Sequence, residues 1–267
     1  IYGTMSVYEN LAFPLKCRQT PDDQIDKKVK EVAEILNLQD FLNNRAKGLT
    51  ADQKQLISLG RGLVREDVAA ILMDEPLTVI DPDLKFRLRR KLKEINAKYK
   101  TTLIYVTHDQ NEAMTFADNI IVMDEGEVVQ AGSPKDLFEK PQTTFVGYFI
   151  GSPAMNLYEC KADNSNQVSL GSNNIAVQTN LGSTNTSNLK LGIRSEFITV
   201  EQTSGPNTIH ADIIEVEDFG NYKLITAQQD LIRIKAKVKR EQEVPSEKVF
   251  LKFPAEHCCV YADNKLI

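Results

Sequence analysis

Residues 69–76 read Ala-Ala-Ile-Leu-Met-Asp-Glu-Pro, and this stretch decides the fold of the chain. Five uncharged, mostly apolar residues from Ala69 to Met73 predict a strand buried on both faces, as in a parallel sheet. Asp74 and Glu75 follow at its C-terminal end, where open α/β sheets bind ligands. The pair fits a Mg²⁺-nucleotide, because the first carboxylate can hold the water shell of the metal and the second can activate an attacking water. A solvated acidic turn is the simpler interpretation of the pair taken alone.

A second apolar strand also ends in polar residues. Residues 103–106 read Leu-Ile-Tyr-Val and are followed by Thr107-His108-Asp109-Gln110. Between the two strands, residues 84–95 carry leucine and isoleucine at helical spacing. Strand, helix and strand predict a right-handed βαβ unit. This unit places His108 at the same sheet edge as the two carboxylates.

A third segment is predicted to begin a helix that runs to about Arg65. It reads Leu49-Thr50-Ala51-Asp52-Gln53, in which Thr50 and Gln53 have the spacing of a capping box. The free N–H groups of a helix N-terminus can bind an anion. A capped surface helix without a ligand is the alternative.

Together these segments resemble the ATP-binding subunit of ABC transporters, in the branch of maltose-type sugar importers. Four motifs match: residues 49–53 look like the LSGGQ signature, 72–76 like the Walker B strand with its catalytic glutamate, 80–81 like the D-loop, and 107–110 like the switch-histidine segment. The resemblance continues through Gly132-Ser133-Pro134, residues 149–156 and Leu191-Gly192-Ile193-Arg194. It therefore covers nearly the whole chain.

The resemblance implies the cofactors ATP and Mg²⁺ and assigns a role to each matching residue. By resemblance, Asp74 orders the Mg²⁺ shell, Glu75 polarises the attacking water, and His108 senses the γ-phosphate. Asp81 communicates across a dimer. The nucleotide of the opposite subunit is contacted by Thr50, Ala51, Asp52 and Gln53. The implied partners are a second ATPase subunit, identical or different, transmembrane permease subunits and, indirectly, a periplasmic solute-binding protein.

One departure from the family pattern is the missing phosphate-binding loop. No Gly-x-x-x-x-Gly-Lys-Ser/Thr occurs in the 267 residues, and the chain begins at Ile1. Residues 1–7 resemble the stretch just after the Q-loop glutamine of the family. We therefore expect this sequence to be the C-terminal portion of a longer protein, and to be inactive as an ATPase by itself.

The other departure lies in the signature, where Ala51 and Asp52 replace two glycines and Leu56 stands where the family usually has arginine. A carboxylate beside the γ-phosphate of the opposite subunit adds bulk and like charge, which predicts a weakened site. Such a site would suit an importer with two different ATPase subunits, only one of which need be fast. Alternatively, Asp52 turns aside and complements the helix dipole.

Composition narrows the class of protein. A net charge of −5 argues against a nucleic-acid surface. No apolar run approaches the roughly 18 residues of a spanning helix, so we expect peripheral attachment to the membrane through a partner. The resemblance implies that this attachment is at the cytoplasmic face of the inner membrane. The four cysteines form no CxxC pair and are interpreted as reduced thiols.

The chain is predicted to contain a partial ABC ATPase domain over residues 1–150, of P-loop NTPase-type α/β fold. It consists of a helical signature subdomain, 1–67, and a Walker B and switch core, 68–150. An all-β, OB-like (TOBE) accessory domain over 151–267 is a candidate for dimer contacts and regulation. Stacking aromatics and a basic groove for nucleic acid are not apparent there.

The predicted function is ATP hydrolysis that drives uptake of a sugar, polyol, glycerol or glycerol-phosphate across the cytoplasmic membrane. Three alternatives stay open. The chain could be a catalytically impaired partner in a heterodimeric ATPase pair, or it could serve an importer of polyamine, iron or sulfate. It could also be a ligand-sensing regulatory module whose β-rich third is the principal part.

Overall fold

The computed structural model describes residues 1–66, 68–99, 101–182 and 188–267. Contacts divide the chain into two compact units, Ile1–Phe116 and Ala117–Ile267, here called unit 1 and unit 2. Among the residues described, none of the helices combines the length and apolar composition that a membrane span requires.

Unit 1 contains five α-helices and a pair of strands in its described residues. In chain order they are α1 (Val7–Lys16), α2 (Asp22–Ile35), α3 (Ala51–Leu63), β1 (Ala70–Asp74), α4 (Pro82–Tyr99), β2 (Thr102–Val106) and α5 (Gln110–Phe116). The helices α1, α2 and α3 bury their apolar faces against one another. Gly60 permits this close packing, because a Cβ there would lie 2.5 Å from a methyl carbon of Leu11 and 2.9 Å from one of Leu36.

The strands β1 and β2 are parallel, and Asp74 pairs with Val106 at the end of the ladder. The predicted strand–helix–strand order is therefore present, with Leu88 and Leu92 of α4 buried in the core of unit 1. The prediction that β1 is buried on both faces is wrong. Leu72 is 74% exposed, because within the described part of the chain packing against β1 and β2 covers one side of the pair.

Unit 2 combines short helices with antiparallel sheets. Its first part consists of β3 (Ile120–Asp124), β4 (Glu127–Gly132), α6 (Pro134–Glu139) and α7 (Thr144–Phe149). The remaining strands are β5 (Asn156–Asn164), β6 (Gln167–Leu170), β7 (Asn173–Ala176), β8 (Leu189–Ile193), β9 (Thr199–Glu201), β10 (Thr208–Asp218), β11 (Tyr222–Gln229), β12 (Ile232–Lys239), β13 (Lys248–Lys252), β14 (Cys259–Ala262) and β15 (Lys265–Leu266). A mixed α/β chain with a β-rich C-terminal region is thus confirmed, while its OB-like topology stays a prediction.

The later strands of unit 2 form a six-stranded sheet, ordered β15-β14-β8-β5-β6-β7, and a five-stranded sheet, ordered β12-β11-β10-β13-β9. Apolar side chains of both sheets share one core. Asn156 joins the sheets through polar contacts. Its side-chain amide donates to the carbonyls of Ile193 and Lys235 at 3.2 and 2.9 Å, and its Oδ1 accepts from the Lys235 N–H at 3.0 Å. These bonds explain why a buried polar residue opens β5.

The contact division after Phe116 falls before the sequence boundary proposed after Ile150. The reason is that α6 and α7 are bound to the β-rich part. The buried Arg194, just after β8, donates to backbone carbonyls in and after both helices, and the Tyr261 hydroxyl donates to the Pro141 carbonyl at 3.1 Å. The boundary of the family domains at residue 150 stays a prediction. The subdivision after residue 67 falls on a residue outside those described.

Candidate functional site

The centre of the site is the turn that follows β1. The N–H of Glu75 donates to the Val106 carbonyl at 2.9 Å and extends the ladder by one residue. Glu75 itself has a φ of +45°, which non-glycine residues rarely adopt. The Glu75 carbonyl accepts from the Gln55 side chain of α3 at 3.3 Å and from the Thr78 hydroxyl at 3.3 Å. These bonds hold the unusual backbone of Glu75, and strained backbone of this kind concentrates at functional sites.

The side chains of Glu75 and His108 meet at the shared sheet edge. The Glu75 Oε1 lies 2.7 Å from His108 Nδ1, and Oε2 accepts from the Thr78 hydroxyl at 3.0 Å. Both remain accessible, with 43% of the Glu75 side chain and 70% of the His108 side chain exposed. The sequence predicts Glu75 and His108 as site residues but not Gln55 and Thr78, since one amide and one hydroxyl on separate elements give no pattern along the chain.

The hydrogen bond between the two side chains shifts both pKa values. The bond to His108, followed by that to Thr78, lowers the pKa of Glu75. The bond to Glu75 raises the pKa of His108 above its usual 6.5. The ion pair is therefore lost when pH rises through the raised His108 pKa, and also when pH falls through the lowered Glu75 pKa. Between these limits the carboxylate and the imidazolium are paired.

We expect Glu75→Gln to return the pKa of His108 towards 6.5, because a neutral amide stabilises the imidazolium less than a carboxylate does. The pH titration of the His108 ring signal by NMR measures this shift. His210 and His257, both in unit 2, provide internal reference signals. An unaltered His108 titration in the variant would contradict the pairing.

Asp74 lies at the C-terminal end of β1 and borders a pocket of about 120 Å³ that is also lined by α3 residues, including Gln55 and Ser58. No cluster of three or more histidine, cysteine or acidic side chains capable of holding a metal occurs in the described residues. Mg²⁺ usually takes one or two carboxylates together with water and phosphate oxygens. The single carboxylate of Asp74 therefore fits Mg²⁺ delivered with a nucleotide.

Asp81 caps the N-terminus of α4. Its Oδ1 accepts from the backbone N–H groups of Asp83 and Leu84 at 3.0 and 3.4 Å. The carboxylate is thus used within its own turn, and its role across a dimer stays a prediction.

The segment from Thr50 to Gln53 forms the start of α3. Thr50 is the N-cap of a capping box, and its N–H donates to the Gln53 side chain at 3.1 Å. A hydrogen bond from the Thr50 hydroxyl is the main cause of a lowered pKa at Asp52, and the Gln53 N–H adds to it. The start of α3 therefore stabilises the charged form of Asp52, and the effect of this residue on a bound nucleotide stays a prediction. The residue before Asp52, Ala51, is exposed.

The chain is similar in sequence to several known proteins. No protein-family model matches the chain. It is 40% identical to the oligosaccharides import ATP-binding protein MsmX of Bacillus subtilis over 223 residues, 83% of this chain and 59% of the relative. It is 38% identical to the multiple sugar-binding transport ATP-binding protein MsmK of Streptococcus mutans over 275 residues, 95% of this chain and 72% of the relative.

A further relative is the sn-glycerol-3-phosphate import ATP-binding protein UgpC of Psychromonas ingrahamii, with 38% identity over 215 residues, 80% of this chain. The match covers 57% of that protein. The chain thus spans little more than half the length of two of these three relatives, and 72% of the third.

Proposed function

Because the chain belongs to the family of ATP-binding subunits of ABC-type sugar and glycerol-phosphate importers, we propose that it is part of a subunit that hydrolyses ATP to drive solute import. The observation that carries this proposal is the 2.7 Å pair of Glu75 and His108 at the end of two parallel strands. The relatives act on oligosaccharides, multiple sugars or sn-glycerol-3-phosphate by name, and a solute of this kind is proposed here.

In the proposed mechanism, Asp74 would help to hold the Mg²⁺ that accompanies the nucleotide, and this metal would supply positive charge to the phosphates. Glu75 accepts a hydrogen bond from the attacking water through its carboxylate. His108, whose Nδ1 is bonded to Glu75, would sense the γ-phosphate. Charge spreads over the phosphoryl oxygens in the transition state, which is why several groups must converge on it.

The remaining roles need a second ATPase subunit. Asp81 would communicate across the dimer, and Thr50, Ala51, Asp52 and Gln53 would contact the nucleotide of the opposite subunit. Permease subunits in the membrane and a periplasmic solute-binding protein complete the proposed importer. The ATPase would then work peripherally at the cytoplasmic face of the inner membrane.

The test is ATP hydrolysis by the assembled importer in liposomes, measured with the solute-binding protein loaded by sugars or by sn-glycerol-3-phosphate. We expect one of these solutes to stimulate hydrolysis and to accumulate inside the vesicles. Residues 1–267 alone are expected to be inactive, since they carry no Walker A loop to hold the β- and γ-phosphates. Absence of solute-coupled hydrolysis with every such solute would contradict the proposal.

A catalytically impaired subunit is the second candidate, favoured by Ala51 and Asp52 in place of the signature glycines. The Thr50 hydroxyl and the N–H groups at the start of α3, however, lower the pKa of Asp52 and so stabilise its charged form. We therefore expect Asp52→Gly to lower the free energy of unfolding by about 0.5–1 kcal/mol, through lost dipole stabilisation and glycine entropy, and to leave turnover within about 2-fold.

Asp52→Asn is the matched variant, because it removes the charge and retains an oxygen acceptor for Thr50. Melting temperatures and ATPase rates of both importers separate the two interpretations. If both variants raise turnover or prolong the ATP-bound dimer, the charge of Asp52 opposes the phosphate, and the impaired-site interpretation is right.

A further inference from the structure

A buried carboxylate lies behind the turn that carries His108. Glu112, in the first turn of α5, is only 3% exposed, whereas the His108 side chain is 70% exposed. Burial of a carboxylate is strongly unfavourable unless charged or polar partners surround it. Glu112 therefore needs partners, and the structure supplies them from two further elements and the turn between β2 and α5.

One oxygen of Glu112 accepts two hydrogen bonds, and the other takes part in an ion pair. Its Oε2 accepts from the hydroxyls of Tyr105, at 2.8 Å, and of Thr107, at 3.1 Å. Its Oε1 lies 3.3 Å from the ammonium nitrogen of Lys85, whose side chain is 21% exposed. Strand β2, the turn that follows it and helix α4 thus meet at one carboxylate.

Thr107 connects this carboxylate to His108. The Thr107 hydroxyl donates to Glu112 and accepts from the Asp109 N–H at 3.0 Å, so it fixes the residues on both sides of His108. Asp109 in turn accepts from the Glu112 N–H at 3.2 Å. Glu75 therefore holds the exposed imidazole of His108. The hydrogen bonds among Thr107, Asp109 and Glu112 hold the backbone on either side of it.

Lys85 connects the same carboxylate to the turn that contains Asp81. The Lys85 N–H donates to the Asp81 carbonyl at 2.8 Å, and Asp81 caps α4. The ion pair of Lys85 and Glu112 therefore links the start of α4 to the His108 turn.

We propose that Glu112 is a positioning residue for ATP hydrolysis. It holds the His108 turn through Thr107, holds the start of α4 through Lys85, and so fixes His108 relative to Glu75 and Asp81. It acts only through these residues, because its carboxylate is buried behind them. This inference rests on the proposed ATPase function.

The test uses Glu112→Gln and Thr107→Val in the assembled importer. Glutamine keeps the shape but loses the charge that faces Lys85, and valine keeps the shape of threonine without its hydroxyl. Each is expected to lower kcat by about 10-fold or more and to change the KM for ATP by less than about 3-fold, as for loss of an interaction that matters in the transition state. Thr107→Ser, which keeps the hydroxyl, should recover kcat to within about 3-fold of the unmodified protein.

A double variant that combines Glu112→Gln with Thr107→Val tests whether the two residues act through the same hydrogen bond. Because both act through one bond, the losses should not multiply, and kcat should lie within about 2-fold of the lower single variant. Glu94→Gln is the matched control: it removes the charge of an exposed α4 glutamate that pairs with Arg90 and Lys91, and should leave kcat unchanged.

Melting temperatures and active-site titration are measured for every variant, so that kcat refers to folded protein. If Glu112→Gln, per folded site, keeps kcat within about 2-fold while Glu75→Gln abolishes turnover, the positioning role is wrong and the proposed function stands. If Glu75→Gln also hydrolyses ATP normally, the proposed hydrolysis by this subunit fails and the impaired-subunit candidate is favoured. Should Glu112→Gln not fold, equal rates in Thr107→Val and Thr107→Ser would still overturn the inference.

Discussion

Glu75→Gln is expected to reduce ATP hydrolysis by the importer by at least about 10²-fold while nucleotide binding is retained, because the glutamine cannot accept a proton from the attacking water. The change is isosteric, and glutamine can still accept a hydrogen bond from Thr78, so the turn after β1 should persist. ATP-bound dimers should also last longer, since the step that ends them is slowed.

Steady-state hydrolysis and equilibrium ATP binding, measured on the same preparation, separate loss of chemistry from loss of affinity. Glu94→Gln provides the comparison for a glutamate outside the site, on the exposed surface of α4. Unchanged turnover in Glu75→Gln would mean that the base lies in the partner subunit, and would favour the impaired-subunit candidate.

The sheet edge could be predicted because its signal is local in sequence. Two apolar strands, each followed by polar residues, require the parallel pairing that brings Asp74 opposite Val106 and His108 close to Glu75. What the sequence did not reveal is how the edge is supported. Gln55 reaches the Glu75 carbonyl from a helix that precedes β1, and no periodicity marks such a contact.

Burial was harder to predict than pairing. The apolar run from Ala69 to Met73 indicated a strand covered on both faces, yet Leu72 is largely exposed. Hydrophobicity shows that a side chain is favoured in a buried position, but it does not show which element packs against it. Glu112 is the converse case, in which a charged residue is buried. An acid in the first turn of a short helix is typical of a solvated position, and only the convergence of Lys85 and Tyr105 explains its burial.

The division of the chain by contacts could not be predicted from the sequence for a related reason. Residues 117–150 belong by contacts to unit 2, although their motifs suggested continuity with the ATPase core. The connection is made by Arg194, one of the matched motif residues, whose partners are backbone carbonyls. Every residue has a backbone carbonyl whatever its side chain, so no sequence pattern could have predicted these contacts.

Arg194 is 1% exposed and donates to the carbonyls of Leu137, Phe138, Gly147 and Ile150, with distances of 3.4, 2.5 and 3.2 Å for the first three. Its guanidinium also lies 4.3 Å from the centre of the Phe138 ring. Gly151 makes room for it, since a Cβ there would be 2.5 Å from Nη1. The positive charge is therefore compensated by carbonyl dipoles and an aromatic face.

We expect Arg194→Met to destabilise unit 2 by at least about 3 kcal/mol, because several buried carbonyls lose a charged donor while the methionine fills part of the space. Arg194→Lys should also lower the stability of unit 2 by about 2 kcal/mol or more, since one ammonium group cannot donate to carbonyls of both α6 and α7 as the planar guanidinium does. Chemical unfolding, followed by a probe in unit 2, measures both changes.

The matched control is Arg240→Met, which removes an arginine that is 55% exposed and pairs with Asp218 at 3.3 Å. An exposed pair contributes at most about 1 kcal/mol, so this variant should unfold close to the unmodified protein. If Arg194→Met and Arg240→Met were equally stable, the attachment of α6 and α7 would not depend on the Arg194 guanidinium. The contrast between the two arginines therefore tests whether a single buried guanidinium assigns residues 117–150 to unit 2.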